Sequence, residues 1–349
     1  MSESPKEEMR RIQLTGGSTY IVSLPKNWVE KTGLKRGSIV SISEKDDMSL
    51  IIHPNASKRD AKLKRAVITV SDEISPESLV RRVVSSYLVG YNIIHLKNPE
   101  KRIDSAQRYT VKEFARSKLV GTEILSDLPS ELVMQVLLSH AELSINDALR
   151  RMAIIASSMH RDAISTLSGE NPQLAKEVIS MDDEVDRFSL YIIRLLKAAV
   201  SDSRVLKEVG LNSSRECLGY RLITKSVERM ADHAVNIAYN SLELNPSNLS
   251  EEILNELKSL SDRALKVFED AIDHLFGMNY AAADKVMENA EEIRRMEKNV
   301  VQKIIKNAAR EDVPSLRLII ESILRTAEYG SDIAETVLNM TITREIKEA

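Results

Sequence analysis

Two short stretches put carboxylates one helical turn apart. In DDEVDRF, residues 182–188, Asp182 and Asp186 are spaced i,i+4, and in ERMADHAVNIA, residues 228–238, Glu228 and Asp232 repeat that spacing. On an isolated helix such like-charged pairs repel by about a few tenths of a kcal/mol. Water must screen them or a cation must compensate them. At about 100° per residue neither pair falls on its helix's apolar stripe: the first lies roughly 110° and the second roughly 160° from the stripe centre. Both are outer-face pairs. If the two helices adjoin, four carboxylates make one negative patch, and an all-oxygen donor set suits a divalent or trivalent cation such as Mg²⁺, Mn²⁺ or iron. Solvated acidic helix faces show the same spacing, so both readings stay open on the residues alone.

Other reactive side chains offer less. His233 follows Asp232 but points about 100° away around the helix. His274 with Asp270 has the spacing of an ordinary surface pair, and His53, His95, His140 and His160 have no companions in sequence. The single cysteine, Cys217, lies beside Glu216 and Leu218, reads as structural and fits a reducing compartment. There is no Glu-x-x-His, no phosphate-binding Gly-rich loop ending in Lys-Ser/Thr, and no Gly-x-Ser-x-Gly. A metalloenzyme built on a helical bundle is therefore the weakest of the available functional classes. The chain reads as a non-enzyme.

The elements that must position the carboxylates follow from composition and periodicity. The chain has 349 residues, 43% hydrophobic, with only 4% aromatics, 11 Gly and 9 Pro, a balance that favours long helices over a turn-rich β fold. Its length accommodates two or three domains. The first ten residues are polar and charged, and the apolar runs LYIIRLLKAAV (190–200) and LVMQVLL (132–138) are short or interrupted. No span of a bilayer and a cytoplasmic location are expected. Residues 1–65 hold 13 Lys/Arg against 8 Asp/Glu, and the remainder holds 36 against 44, so a basic N-terminal module precedes an acidic body.

That module, residues 1–57, reads as β-rich. RRIQLT (10–15) and TYIVSL (19–24) alternate around a Gly-Gly-Ser turn, Pro25 starts a short helix that Gly33 ends, and GSIVSI (37–42), KDDM (45–48) and SLIIH (49–53) form a hairpin. A basic link, 57–65, leads on. Residues 58–138 alternate strand and helix as an α+β connector domain, ferredoxin-like or ACT-like, which we expect to connect and dimerise. From 139 the pattern is helical. Stripes such as Leu149, Met152, Ala156, Met159, Ala163 and Leu167, and Ile223, Val227, Met230, Ala234 and Ile237, mark core faces of bundle helices. Breaks fall at 169–172, 201–213 and 245–250, and three more helices follow over 251–276, 281–308 and 315–346. Six helices in two sets suggest a duplication, 139–245 and 246–349. ERMADHAVNIA aligns with LRTAEYGSDIA (324–334), pairing Asp232 with Glu328, and DDEVDRF aligns with AEEIRRM (290–296).

Two resemblances add to this reading. GGSTYIVSLPKNWVEKTGLKRGSIVSI (16–42) resembles the SpoVT/AbrB-like swapped-hairpin fold. This implies a DNA-binding homodimer with basic contacts, for which the candidates are Arg10, Arg11, Lys26, Lys31, Lys35 and Arg36. DDEVD (182–186) with ERMADHAVNIA resembles the PhoU family of phosphate-uptake regulators, whose hallmark is two tandem three-helix bundles. This implies metal held on the bundle surface by Asp182, Asp186, Glu228 and Asp232. In the second half the matching positions read Ala290, Arg294 and Leu324, with only Glu328 retained beside Asp332. One intact site, or one strong and one vestigial, is expected. The fold expected is mainly α: two PhoU-like bundles preceded by the swapped-hairpin and α+β domains. The implied function is regulation of phosphate uptake, with promoter DNA of phosphate-transport genes and a phosphate ABC transporter ATPase as partners. The alternative is a scaffold that docks on that ATPase and does not bind DNA.

Overall fold

The computed structural model describes residues 8–44, 48–54, 63–138 and 143–346, with residue 305 as backbone only. Most of the KDDM turn, residues 57–62 of the basic link, and His140 lie outside the described residues. The chain divides into two compact units, Met1–Lys62 and Leu63–Ala349.

In the first unit β1 (Gln13–Thr15) pairs antiparallel with β2 (Thr19–Ile21) across Gly16 and Gly17, whose φ values of +65° and +80° only glycine adopts without strain. The ladder starts at Gln13, later than the expected strand, so Arg10 and Arg11 lie ahead of it. Next, α1 (Lys26–Thr32) follows Pro25 and stops at Gly33 in a left-handed conformation. β3 (Val40–Glu44) then pairs antiparallel with β4 (Leu50–Pro54). The two hairpins form separate two-stranded sheets. No described residue of this unit is buried, and Tyr20 and Ile39 are 75% and 72% exposed. A two-stranded hairpin is marginal by itself. The described residues of one copy of this unit form no core.

The second unit opens with β5 (Arg65–Thr69), α2 (Pro76–Val89), β6 (Ile93–Lys97), α3 (Ser105–Lys118), β7 (Thr122–Leu128) and β8 (Glu131–Val136). Ser75 caps α2 by accepting from the Ser78 amide, and Asp104 caps α3. The sheet runs β5-β6-β8-β7, with β5 parallel to β6 and the other pairs antiparallel. That corrects the ferredoxin-like expectation. A ferredoxin-like chain runs βαββαβ, whereas here both helices precede the hairpin, and the tight turn at Leu128–Ser130 folds β8 back between β7 and β6. Leu79, Val83 and Tyr87 of α2 and Val111 and Ala115 of α3 cover Ile94, Leu96, Leu132 and Met134 of the sheet.

Six long helices follow: α4 (Ile145–Ser165), α5 (Pro172–Ser201), then, after the short α6 (Ser203–Glu208), α7 (Glu216–Glu243), α8 (Glu251–Gly277), α9 (Tyr280–Asn307) and α10 (Val313–Thr341). α4, α5 and α7 form one three-helix bundle and α8, α9 and α10 another. They meet along α7 and α10, and again at α4 and α8, in one continuous core. Every residue of the two apolar stripes named above is buried. The α6 turn occupies a stretch expected as loop. His160, expected to lack companions, is fully buried where the bundles meet: its Nε2 lies 2.8 Å from Ser261 Oγ and its Nδ1 3.3 Å from Thr326 Oγ1. Burial first, then Arg161, pushes its pKa down to about 4, so this imidazole is a neutral polar pin.

At Gly330 of α10, an added Cβ would stand 2.9 Å from both the Cα and the backbone N of Phe268 in α8. Backbone cannot move aside as a flexible side chain does, so Gly330→Ala should cost about 1–3 kcal/mol. Urea unfolding of the two proteins checks this; equal midpoints would mean that α8 and α10 are not in such close contact.

Candidate metal centre

The carboxylate pairs lie on neighbouring helices and act on one another electrostatically. α5 and α7 pack side by side in the first bundle, and charges from both helices act on the same groups. The Asp182 pKa is raised to about 6, first by burial and then by Asp186, with Glu228 and Asp183 adding to it and Lys118 opposing. Asp232 is likewise raised to about 6, by burial and then by Glu228, Asp182 and Asp186, against Lys225. Asp182 Oδ1 is buried without a hydrogen-bond partner. The patch therefore carries more negative charge than its surroundings balance.

Two lysines offset part of that charge. Lys225 pairs with Glu228 one turn away on α7. Lys118, the last residue of α3, places Nζ 2.6 Å from Asp183 Oδ1 and 2.7 Å from Asp186 Oδ2. The outer-face expectation thus holds relative to the bundle core; toward solvent, Asp183 and Asp232 are exposed while Asp182, Asp186 and Glu228 are part-covered, α2 and α3 of the α+β domain packing against α5. Arg194 of α5 donates to the Tyr87 carbonyl and lies 4.8 Å from the centre of its ring, and Leu190 packs on the α+β core. Neither Lys118 nor Arg194 carries a local sequence signal for these roles. Lys225, three residues before Glu228, could have been read from spacing.

Among the described residues no three His, Cys, Asp or Glu side chains stand ready-made as an ion cage. The donor set nevertheless fits a hard cation in kind: oxygen ligands, excess negative charge and an unsatisfied buried oxygen at Asp182. Asp182, Asp186, Glu228 and Asp232 would hold it.

The second half is different. Glu328 pairs with Arg325 at 2.6 Å and shares a small pocket with Ala290, Arg294 and Leu324. A guanidinium and two apolar side chains stand where the first half has carboxylates. His233 turns away from Asp232 toward α10, its Nδ1 3.1 Å from Ser322 Oγ. Asp270 is held by Lys266 at 2.6 Å. His95, expected to be alone, meets Glu131 of β8 at 3.0 Å. Cys217 is buried, and that burial pushes its thiol pKa up, away from reactivity. A larger open groove of about 990 Å³ lies at the starts of α2 and α3. Its Lys101, Arg108 and Lys112 are already paired with Asp72 and Asp127, which leaves the carboxylate patch as the better candidate.

The six basic candidates of the first unit are all exposed. Arg10 pairs with Glu8 and Lys26 stands 3.8 Å from Glu30, while Lys31 lies in the last turn of α1 and Lys35 and Arg36 in the turn that follows.

Comparison with known proteins bears on the fold of the two helical bundles and of the N-terminal unit. A PhoU domain model matches residues 149–241 and 257–337, and a model of the MazE bacterial antitoxin, described as antidote-toxin recognition, matches 13–60. The chain is 25% identical over 205 residues to the phosphate-specific transport system accessory protein PhoU homolog 1 of Thermotoga maritima, covering 57% of this chain and 86% of that protein. It is 23% identical over 197 residues to the corresponding homolog of Rhizobium meliloti, covering 55% and 81%. Crystal structures of PhoU from Streptococcus pneumoniae and Pseudomonas aeruginosa each superpose with a TM-score of 0.50, at 17% and 18% identity, covering 58% of this chain and 96% of theirs.

The raised pKa of Asp182 has a consequence for stability. A carboxyl raised by folding stabilises below its ordinary value near 3.8, and that contribution is lost as pH rises through about 6. At neutral pH without metal the charged cluster works against folding. Discounted for partial exposure, Asp182→Asn should stabilise the metal-free protein by about 1–2 kcal/mol at pH 7.5, the gain vanishing near pH 4. Urea titrations in chelator at the two pH values measure it, and an unchanged midpoint at pH 7.5 would contradict the charge crowding.

Proposed function

The helical body of this chain belongs to the PhoU family and follows a MazE/AbrB-like module, and from that premise we propose that it is a regulator of phosphate transport that binds DNA and a metal ion. The carrying observation is the pairing of two features. One is the excess-charge carboxylate cluster on α5 and α7 of the PhoU-like body. The other is an N-terminal unit with no buried residue among those described in a single copy and six exposed basic side chains.

The missing core supports a homodimer. Two copies of the N-terminal unit would cover Ile12, Leu14, Tyr20, Ile39 and Ile42, which one copy leaves exposed. A two-fold pair also doubles the basic surface, and Lys/Arg contacts to phosphates give salt-sensitive affinity. Arg10, Arg11, Lys26, Lys31, Lys35 and Arg36 are its contact residues. The relatives named above are phosphate-specific transport system accessory proteins, which supports a role in phosphate transport; the partners in this reading are a phosphate ABC transporter ATPase and the promoters of phosphate-transport genes. The metal is Mg²⁺, Mn²⁺ or iron, held by Asp182, Asp186, Glu228 and Asp232. Glu328, paired with Arg325, contributes at most a vestigial second position. The role is regulatory, not catalytic.

Two experiments test this. Gel retardation with promoter DNA from a phosphate-transport operon should show binding at moderate salt, and Arg10→Glu/Arg11→Glu should weaken it by roughly ten- to a hundredfold while flattening the salt dependence. No retardation of any such fragment sinks the DNA-binding half, and reversal that leaves both affinity and transporter regulation intact favours a scaffold. Separately, elemental analysis of tag-free protein should find a metal in the native chain that Asp186→Ala/Asp232→Ala loses. Metal-free native protein would remove the ion.

A further inference from the structure

We propose that the open face of the four-stranded sheet is a contact surface for a second copy of this chain. The two sheets stack face to face about a two-fold axis that runs parallel to the strands, between β6 and β8. This gives a surface to the dimerisation expected of the α+β domain, and it rests on neither the DNA-binding nor the metal-binding reading.

Helices cover one side of the sheet, where Ile94, Leu96, Leu132 and Met134 meet α2 and α3. Side chains alternate along a strand, so the residues between these face the other way. The strand register sets that second face in rows. One end row starts at Arg65 on β5 and reaches Glu123 on β7 through Ile93 and Gln135. At the other end Lys97 on β6 lies beside Glu131 on β8, 3.2 Å away. The middle row starts at Val67 and ends at Ser126, where the register shift in β7 adds Leu125. Val67 and Leu125 are 60% and 54% exposed, so each edge strand of a single copy holds an apolar side chain in water.

The charges on this face complement a rotated copy of themselves. Arg65 and Glu123 share a row but sit on opposite edges, three strand intervals or about 14 Å apart, too far to pair within one copy. Among the described residues neither has an ion-pair partner. A two-fold axis along the strands carries β5 over the partner's β7 and β6 over its β8 while keeping each row in place. Arg65 then meets the partner's Glu123, and the same contact forms once more from the other copy. Lys97 faces the partner's Glu131, and Val67 faces the partner's Leu125. An axis across the strands would set β5 over β5 and leave Arg65 and Glu123 without opposite charges. Packed sheets cross at about 30°, which offsets the outer strands by about one residue, and long Arg and Glu side chains span that offset. Such edge charges fix orientation and partner more than they add affinity.

Coexpression of two full-length variants, Arg65→Glu and Glu123→Arg, one carrying a mass tag, tests this by native mass spectrometry. Both positions are exposed, so the core is untouched. Each variant sets like charges against its own kind, whereas a mixed pair restores both contacts. Mixed dimers should rise from the statistical share of roughly half to about three quarters, a preference of about tenfold. The double reversal Arg65→Glu/Glu123→Arg, coexpressed with wild type, should sort the other way, with mixed dimers falling to about one quarter. That second experiment keeps the test independent of how either single variant folds. Statistical mixing in either experiment overturns the face contact and leaves pairing through the N-terminal unit standing. Monomers throughout, wild type included, overturn both.

Discussion

Like charge gathered on a partly dry surface is the constraint around which this molecule is arranged. Asp182, Asp186, Glu228 and Asp232 would be an unremarked acidic face if water reached all of them. Instead, burial leads the causes that raise Asp182 and Asp232, and each carboxylate adds to the other's cost. Lys118 and Lys225 answer part of it. The remainder is an electrostatic cost that the fold carries, since a part-buried charge is costly unless paired.

The scaffold keeps that strain from relaxing. A single helix could rotate its acids into water, but α5 and α7 are fixed by a continuous apolar core that runs through both bundles. Where α4, α8 and α10 meet, His160 is neutral and bonded on both ring nitrogens, which makes the junction polar and directional as well as oily. Gly330 lets α10 approach the backbone of α8. The duplicated half shares this frame without its chemistry: Arg294 and Leu324 replace acids, and Glu328 is left with Arg325 as its partner. Frame and charge have separated between the two halves.

The N-terminal unit presents the opposite problem. Its turns are well specified by Gly16, Gly17 and Gly33, yet none of its described side chains is buried. Local backbone preferences suffice to draw its hairpins but not to cover them. Its Ile, Leu and Tyr side chains lie exposed beside exposed Arg and Lys side chains, two of which pair with Glu8 and Glu30.

The sequence alone determined everything governed by short-range periodicity. The apolar stripes of α4 and α7, the Gly and Pro punctuation, the α+β alternation and the two i,i+4 carboxylate pairs were all readable, because each depends on residues within a few turns of one another. Tertiary structure decided the rest. Strand order in the α+β domain was not legible, because hydrophobic alternation does not say which strand a hairpin folds back against. Nor could the sequence show that the outer face of α5 is partly covered, or that Lys118, 68 residues from Asp186, supplies its counter-charge. His160 found Ser261 and Thr326 only across the bundle junction. Burial and long-range pairing set the energy of a charge, and both are properties of the folded chain's surroundings rather than of its neighbours in sequence.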